Sequence, residues 1–306
     1  MSAVWWAVAL LYVFSGLISP GMFQLGQILN ILQVAAFLGV VATGQTIALL
    51  TGGIDLSVAG MVTMANIVST SVMAGQSSNI LPAVIVCLLL AGIIGLANGF
   101  IIAIVRVTPL VATLAMNSIL FGAALVYTQG APHGGIAPEY AVFGQGHFGI
   151  LPFSTICWVF IVLAVAFLMH RTIFGRQLYA VGANTTAAGM MGIAVHKIVM
   201  ATYMLSATMA VLGGLLLTSY IGSPSLGIGD QFLLTSIAAT VVGGTALSGG
   251  IGSVIETIGG TLFITELNTF TNIVHVSTGV QFVLQGTVIA LSVLAYRLIG
   301  FSRAAN

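Results

Sequence analysis

A single carboxylate lies among glycines in Thr51-Gly52-Gly53-Ile54-Asp55-Leu56-Ser57, between two long apolar runs. The glycines release the backbone from helix, and an acid beside broken helices in an apolar medium is a functional candidate. Asp55 equally suits a plain turn, in which its carboxylate takes up the free N–H groups that open the next helix. The string Gly-Gly-x-x-Leu-Ser returns at Gly243-Gly244-Thr245-Ala246-Leu247-Ser248. Such a repeat suits two broken corners in matching positions of two halves. Further uncharged polar residues fall at helical spacing inside the apolar runs: Thr63, Asn66 and Thr70; Thr113 and Asn117; Gln281 and Gln285. Gln33, Thr43, Gln45, Thr46 and Asn98 add to them. Singly, each reads as glue between helices. Together they suit a hydrated path for a neutral polar solute, since ion pumps carry buried charged relays. Glu256 and Glu266 share one run; Glu256 suits a helix end, and Glu266 a hydrogen-bonded structural acid.

Catalytic patterns are missing. A phosphate-binding loop needs Gly-x-x-x-x-Gly-Lys-Ser/Thr, and the one lysine, Lys197, is followed by Ile198. The chain is therefore not expected to hydrolyse ATP. The histidines at 133, 147, 170, 196 and 275 are scattered. No Cys/His cluster has metal-ligand spacing, so neither catalytic nor metal-ligating residues are assigned. Cys87 and Cys157 lie in apolar runs and read as small hydrophobes.

These residues must be held by something other than a soluble scaffold. Of 306 residues, 59% are hydrophobic and 4% charged, with mean hydropathy +1.18. Soluble domains carry about 25% charged residues. The composition excludes a soluble enzyme, a disordered chain and a nucleic-acid binder, which needs a basic footprint. An all-α polytopic membrane protein in a lipid bilayer remains. A cleavable signal peptide of the usual form is not expected, because no basic stretch precedes the apolar run at Val4-Trp5-Trp6.

Apolar runs predict about ten spans: Val4–Ser19, Ile28–Leu50, Leu56–Met73, Leu81–Val105, Pro109–Thr128, Leu151–His170, Ile198–Tyr220, Phe232–Leu247, Gly252–Asn272 and Val280–Leu298. The first and eighth are short, which suits tilted or re-entrant segments. With this count Arg106, Arg171, Arg176, Lys197, Arg297 and Arg303 all fall on one side. The positive-inside rule makes that side the cytoplasm, with both termini there. The longest cytoplasmic segment is then 171–197, RTIFGRQLYAVGANTTAAGMMGIAVHK. Asn184 is placed to cap a short helix and Gly192 to stop it. Such a helix has little core of its own and lacks the Lys/Arg face of a lipid-bound helix. Docking on a partner is therefore preferred to an interfacial helix lying on lipid.

Five strings in order resemble the permease subunits of ribose-type ABC import systems, in the branched-chain amino acid/sugar permease superfamily. They are TGGIDLSVAG (51–60), GLANGFIIAIVRVTPLVATLAM (95–116), FGRQLYAVGANTTAAGMMGIAVHKI (174–198), YMLSATMAVLGGLLL (203–217) and IAATVVGGTALSGGIGSVIETIGGTLF (237–263). Departures are Ala59, Ala207 and Glu256, where the family often has glycine. The resemblance implies one transmembrane permease domain over 1–306, with 171–197 as its cytoplasmic coupling loop. It implies a second permease chain, the same or related, two ATP-binding subunits holding ATP and Mg, and a periplasmic or extracellular sugar-binding protein. This chain itself is then expected to hold no cofactor and to lie in the bacterial inner membrane. The family's coupling pattern falls on Gly182, Asn184, Ala187, Ala188, Gly189 and Gly192. A monosaccharide or related polyol is the solute class so implied. Asp55, Ser57, Asn66, Asn98, Thr113 and Asn117 are the candidates for its path.

Two other classes are weighed. An ion-coupled secondary transporter would also use broken helices and polar stripes, and would move solute without an ATPase. An intramembrane protease needs acids facing each other, or a serine near a histidine. The span count puts Asp230 opposite Asp55, and Ser248 opposite His275.

Overall fold

The computed structural model describes the backbone of residues 3–304 and the side chains of 4–294 apart from 278 and 293. Arg297 and Arg303, counted toward orientation, have side chains outside the described residues. The chain is built almost wholly of helices. They are α1 (Ala3–Ile18), α2 (Leu25–Leu50), α3 (Val58–Met73), α4 (Ile80–Ala103), α5 (Pro109–Thr128) and the short α6 (Val142–Gln145). A two-stranded hairpin follows, β1 (His147–Phe148) and β2 (Leu151–Pro152), then α7 (Phe153–Arg171), α8 (Ile173–Ala183) and α9 (Thr185–Met190). The last four are α10 (Val195–Ile221), α11 (Asp230–Val242), α12 (Val254–Ile273) and α13 (Thr278–Ala304). Among the described residues, ten helices of 13 to 27 residues fall on the ten apolar runs. Five of these, α2, α4, α5, α7 and α10, are long and apolar enough to cross a membrane by length and composition.

Three elements depart from the expectation. The eighth run was drawn to Leu247, but α11 ends at Val242, where Gly243 and Gly244 begin an irregular stretch to Ser253. Segment 171–197 holds two helices rather than one short one, because Thr172 caps α8 ahead of the capping Asn184. The loop 129–150 is ordered by α6 and by the hairpin, whose turn has Gly149 at φ +62°.

The centre of the bundle is α2, α3 and α10. Every residue of α2 from Ala35 to Leu50 is buried, as befits a helix apolar on all sides and surrounded by others. Lipid tails are as apolar as leucine, so close backbone approach has to hold such helices together. α4 provides it with Gly95 and Gly99, four apart and therefore on one face. A Cβ on Gly95 would stand 2.6 Å from Met204 Cα, and one on Gly99 2.6 Å from Met200 Cα, both on α10. The same approach joins α10 to α3, where a Cβ on Gly214 would meet the Val62 carbonyl oxygen at 3.0 Å.

The connections define two ends. At one end lie the breaks after α2, α4 and α11 and the segment α8–α9. At the other lie the α3–α4, α10–α11 and α12–α13 connections and the hairpin. This far end is laced together: Gly135 N donates to Thr70 O (3.1 Å), Tyr140 Oη to Leu215 O (3.1 Å) and Gln33 Nε2 to Gly144 O (2.6 Å).

Gly95→Ala should cost about 1–3 kcal/mol, since the methyl group meets backbone that cannot swing aside. Gly92→Ala, on the same helix with nothing within 4 Å, should be neutral or stabilising by up to about 1 kcal/mol through helix propensity. Thermal midpoints of the two variants in detergent check the difference.

Candidate functional site

The break between α2 and α3 is held by Asp55, which is fully buried. Its Oδ1 accepts the Ser57 N–H (2.9 Å) and the Ser57 hydroxyl (2.5 Å), and its Oδ2 accepts the Ser206 hydroxyl of α10 (2.7 Å). The carboxylate thus supports the turn just before α3 and ties it to α10, using hydroxyl and N–H donors in place of a cation. Asn98 of α4 adds a further link, its Nδ2 donating to Ser57 Oγ at 2.9 Å. Thr113 of α5 accepts the Leu56 N–H (3.0 Å) and donates to the Pro109 carbonyl at 2.8 Å, with the Ile54 carbonyl at 3.2 Å. Four helices and the broken loop are therefore pinned at one point. Four of the expected path residues, Asp55, Ser57, Asn98 and Thr113, meet there.

The other two expected path residues stand apart. Asn117 accepts the Gly60 N–H at 2.7 Å, fastening α5 to α3. Asn66 donates to Thr218 Oγ1 (3.1 Å) and Ser223 O (3.2 Å) and accepts the Ser225 N–H (2.8 Å), fastening α3 to the loop after α10. All six path candidates are thus hydrogen-bonded to protein groups, with Asn98 Oδ1 left without a partner.

The two Gly-Gly-x-x-Leu-Ser strings meet. Gly250 N donates to Leu50 O at 2.9 Å, joining the second irregular stretch to the last turn of α2. A Cβ on Gly249 would stand 2.8 Å from Gly52 N and 3.0 Å from Gly182 O. One on Gly182 would stand 1.8 Å from Leu50 O and 2.7 Å from Gly250 N. Gly249 (φ +85°) and Gly250 (φ +75°) need left-handed backbone as well as space. Tyr179 of α8 completes the contact, its hydroxyl donating to Gly252 O at 2.9 Å. Burial raises the Tyr179 phenol above its ordinary pKa, so it remains a donor. α8 is thereby seated on both corners at once.

Beyond this junction α9 projects. Asn184 caps it, its Oδ1 accepting the Ala187 N–H at 2.9 Å, and Gly192 follows its end at φ +83°. The expected docking residues divide by facing. Gly182 packs inward against the corners, and Ala188 is fully buried beneath α9. Asn184, Ala187, Gly189 and Gly192 are exposed. Met190 and Met191, 86% and 70% exposed, extend this surface; the doubled methionine beside Gly189 is the signal that could have found them.

The acids in the ninth run also have places. Glu256 is in the first turn of α12, behind the cap Ser253, where a carboxylate favours the helix dipole. Glu266 is buried and accepts the Ser15 hydroxyl of α1 at 3.3 Å. Ser248 lies at the corner end and His275 in the α12–α13 turn at the far end, too far apart to act together. Among the described residues no group of three or more His, Cys, Asp or Glu is placed to hold a metal ion.

Residues 27–293 match the family described as branched-chain amino acid transport system / permease component. The chain is 35% identical over 290 residues to the ribose import permease protein RbsC of Bacillus subtilis (strain 168), covering 94% of this chain and 90% of that one. It is 36% identical over 294 residues to the ribose import permease protein RbsC of Escherichia coli (strain K12), covering 94% and 91%. The galactose/methyl galactoside import permease protein MglC of Haemophilus influenzae is 31% identical over 293 residues, covering 90% and 87%. No solved structure matches. With a family match over most of its length, relatives above 30% identity covering most of both chains, and an apolar helical bundle, the chain belongs to the permease component family of these membrane transport systems.

Proposed function

We propose that the chain is half of the membrane path of an ATP-driven importer for a monosaccharide or a related polyol. A second copy or a related permease forms the other half. Two ATP-binding subunits holding ATP and Mg dock on the corner end, which faces the cytoplasm, and a binding protein delivers solute at the far end. The likeness to ribose and galactose import permeases supports the solute class. The clustering of Arg106, Arg171, Arg176 and Lys197 at the corner end supports the orientation.

The observation that carries the reading is the seating of α8. A capped, exposed knuckle (α9) is joined to a helix that touches both broken corners. Movement of the knuckle by a closing ATPase dimer reaches α2, α3 and α12 through Leu50, Gly52 and Gly250 with no flexible linker between. In this reading Asn184, Ala187, Gly189 and Gly192 form the docking surface with Met190 and Met191, and Gly182 and Ala188 seat it. Asp55, Ser57, Asn98 and Thr113 act on the path by holding its inner corner shut, and Asn66 and Asn117 by fixing α3. Such a cycle needs ATP and the loaded binding protein to favour different states of the bundle.

The test is association and transport in the assembled complex. Gly189→Trp adds bulk where a Cβ meets only Val195 Cγ2 at 4.0 Å. It should leave the thermal midpoint unchanged, and cut ATPase co-purification and sugar uptake about tenfold or more, the effect of roughly 1.4 kcal/mol in docking. Unchanged association would remove α9 from the interface, and uptake by the chain alone in liposomes would replace the reading with ion-coupled transport. Gly182→Ala should instead cost about 1–3 kcal/mol of stability and so lower the midpoint itself. Asp55→Ala leaves two hydroxyls and one N–H short of an acceptor. Each buried orphan costs about 1–3 kcal/mol, so reduced membrane levels and lost uptake are expected, with Asp55→Asn milder in both.

A further inference from the structure

At the far end, four amides stand in two rungs between α12 and α13. Gln281 Nε2 donates to Asn272 Oδ1 at 2.8 Å, and Gln285 Nε2 to Asn268 Oδ1 at 2.9 Å. Both pairs are four apart along their helices, so each helix presents its two amides on one face. Every rung spends a glutamine donor and an asparagine acceptor. The asparagine Nδ2 groups and the glutamine Oε1 atoms remain for other partners. Gln285 is 6% exposed, and its Oε1 has no hydrogen-bond partner.

These amides line a cleft of about 250 Å³, open on one side and closed by α11 and α2. Gln231 and Thr235 of α11 face the amides, and Phe37, Phe232 and Phe282 provide apolar walls. The lining has no Asp, Glu, Lys or Arg. Its volume is just under the roughly 300–1,000 Å³ of pockets for drug-sized ligands. Glutamines 281 and 285 were legible as a stripe in the sequence; their partners on α12 were not.

We propose, resting on the importer reading, that this cleft receives one neutral, polyhydroxylated ring at the outer end of the path. Neighbouring ring hydroxyls each donate and accept, which matches the leftover asparagine donors and the Gln281 acceptor. Ring hydroxyls meet the amides that open on the cleft, Asn268, Asn272 and Gln281, and the apolar face of the ring lies on the aromatic walls. A pair of apolar residues would join the two helices as well, so four amides turned to one open cleft suit a polar occupant. The absence of charge in the lining excludes phosphorylated sugars and amino acids as the preferred occupants.

The test places a reporter in the cleft of the assembled permease–ATPase complex in nanodiscs. Gln231→Cys, exposed at the rim, is introduced with Cys87→Ala and Cys157→Ser. Labelling by a water-soluble methanethiosulfonate is followed with D-ribose, D-galactose, D-glucose, myo-inositol or ribose 5-phosphate. At about twice its Kd, a bound neutral sugar or polyol should slow labelling about threefold by mass action, and the phosphate should not. The double change Asn268→Leu with Gln285→Leu removes both partners of one rung. It should abolish protection while keeping the thermal midpoint and the ATP turnover measured without sugar. Protection by none of the neutral compounds, equal protection by the phosphate, or protection that survives the double change would each overturn the site. Uptake driven by ATP with no protection would overturn the cleft and leave the importer standing. Protection without ATP-driven uptake would support the cleft and remove the importer reading.

Discussion

A chain that interrupts its helices inside an apolar medium frees N–H and C=O groups that have no water to turn to. Every such group must be met from within the protein. Here the interruption after α2 is met by one buried carboxylate and by hydroxyl and amide side chains from three other helices. The interruption after α11 is met by backbone from the first, through the bond from Gly250 to Leu50. The two breaks satisfy each other, so neither can rearrange alone.

Glycine makes this possible in two separate ways. Along α4, Gly95 and Gly99 let α10 approach until only backbone separates them, in place of the hydrophobic attraction that lipid abolishes. At the corners, Gly249 and Gly250 supply left-handed backbone while Gly182 gives up its volume to the Leu50 carbonyl. A helix with side chains at these places would stand off from the corners, and the seating of α8 would be lost.

Much of this was legible in the sequence, for physical reasons. Ten apolar runs separate cleanly because a span needs a length that few soluble segments reach, and Asn184 followed by small residues and Gly192 carries its own start and stop. The recurrence of Gly-Gly-x-x-Leu-Ser signalled matching breaks, but not that they touch. Facing was hidden as well. Gly182 and Gly189 are equivalent by type, and only the fold turns one inward and leaves the other bare. Asp55 and its neighbours read as polar surface for a solute, although their partners are backbone and hydroxyls that lie far away in the chain. Glu266 was legible as a hydrogen-bonded acid, but not its partner Ser15, which is 251 residues distant. The helix α8 was missed because its glycines weaken the local signal while its contacts with both corners stabilise it.

The shortness of α11 has a consequence for the bilayer itself. Thirteen residues at 1.5 Å each span about 20 Å, against a hydrocarbon layer of about 30 Å. Before and after it the chain is irregular. The helix is thus about a third shorter than the hydrocarbon layer is thick. A hydrophilic molecule crossing beside a segment of this length would forfeit its hydration over a shorter distance than beside a full-length span.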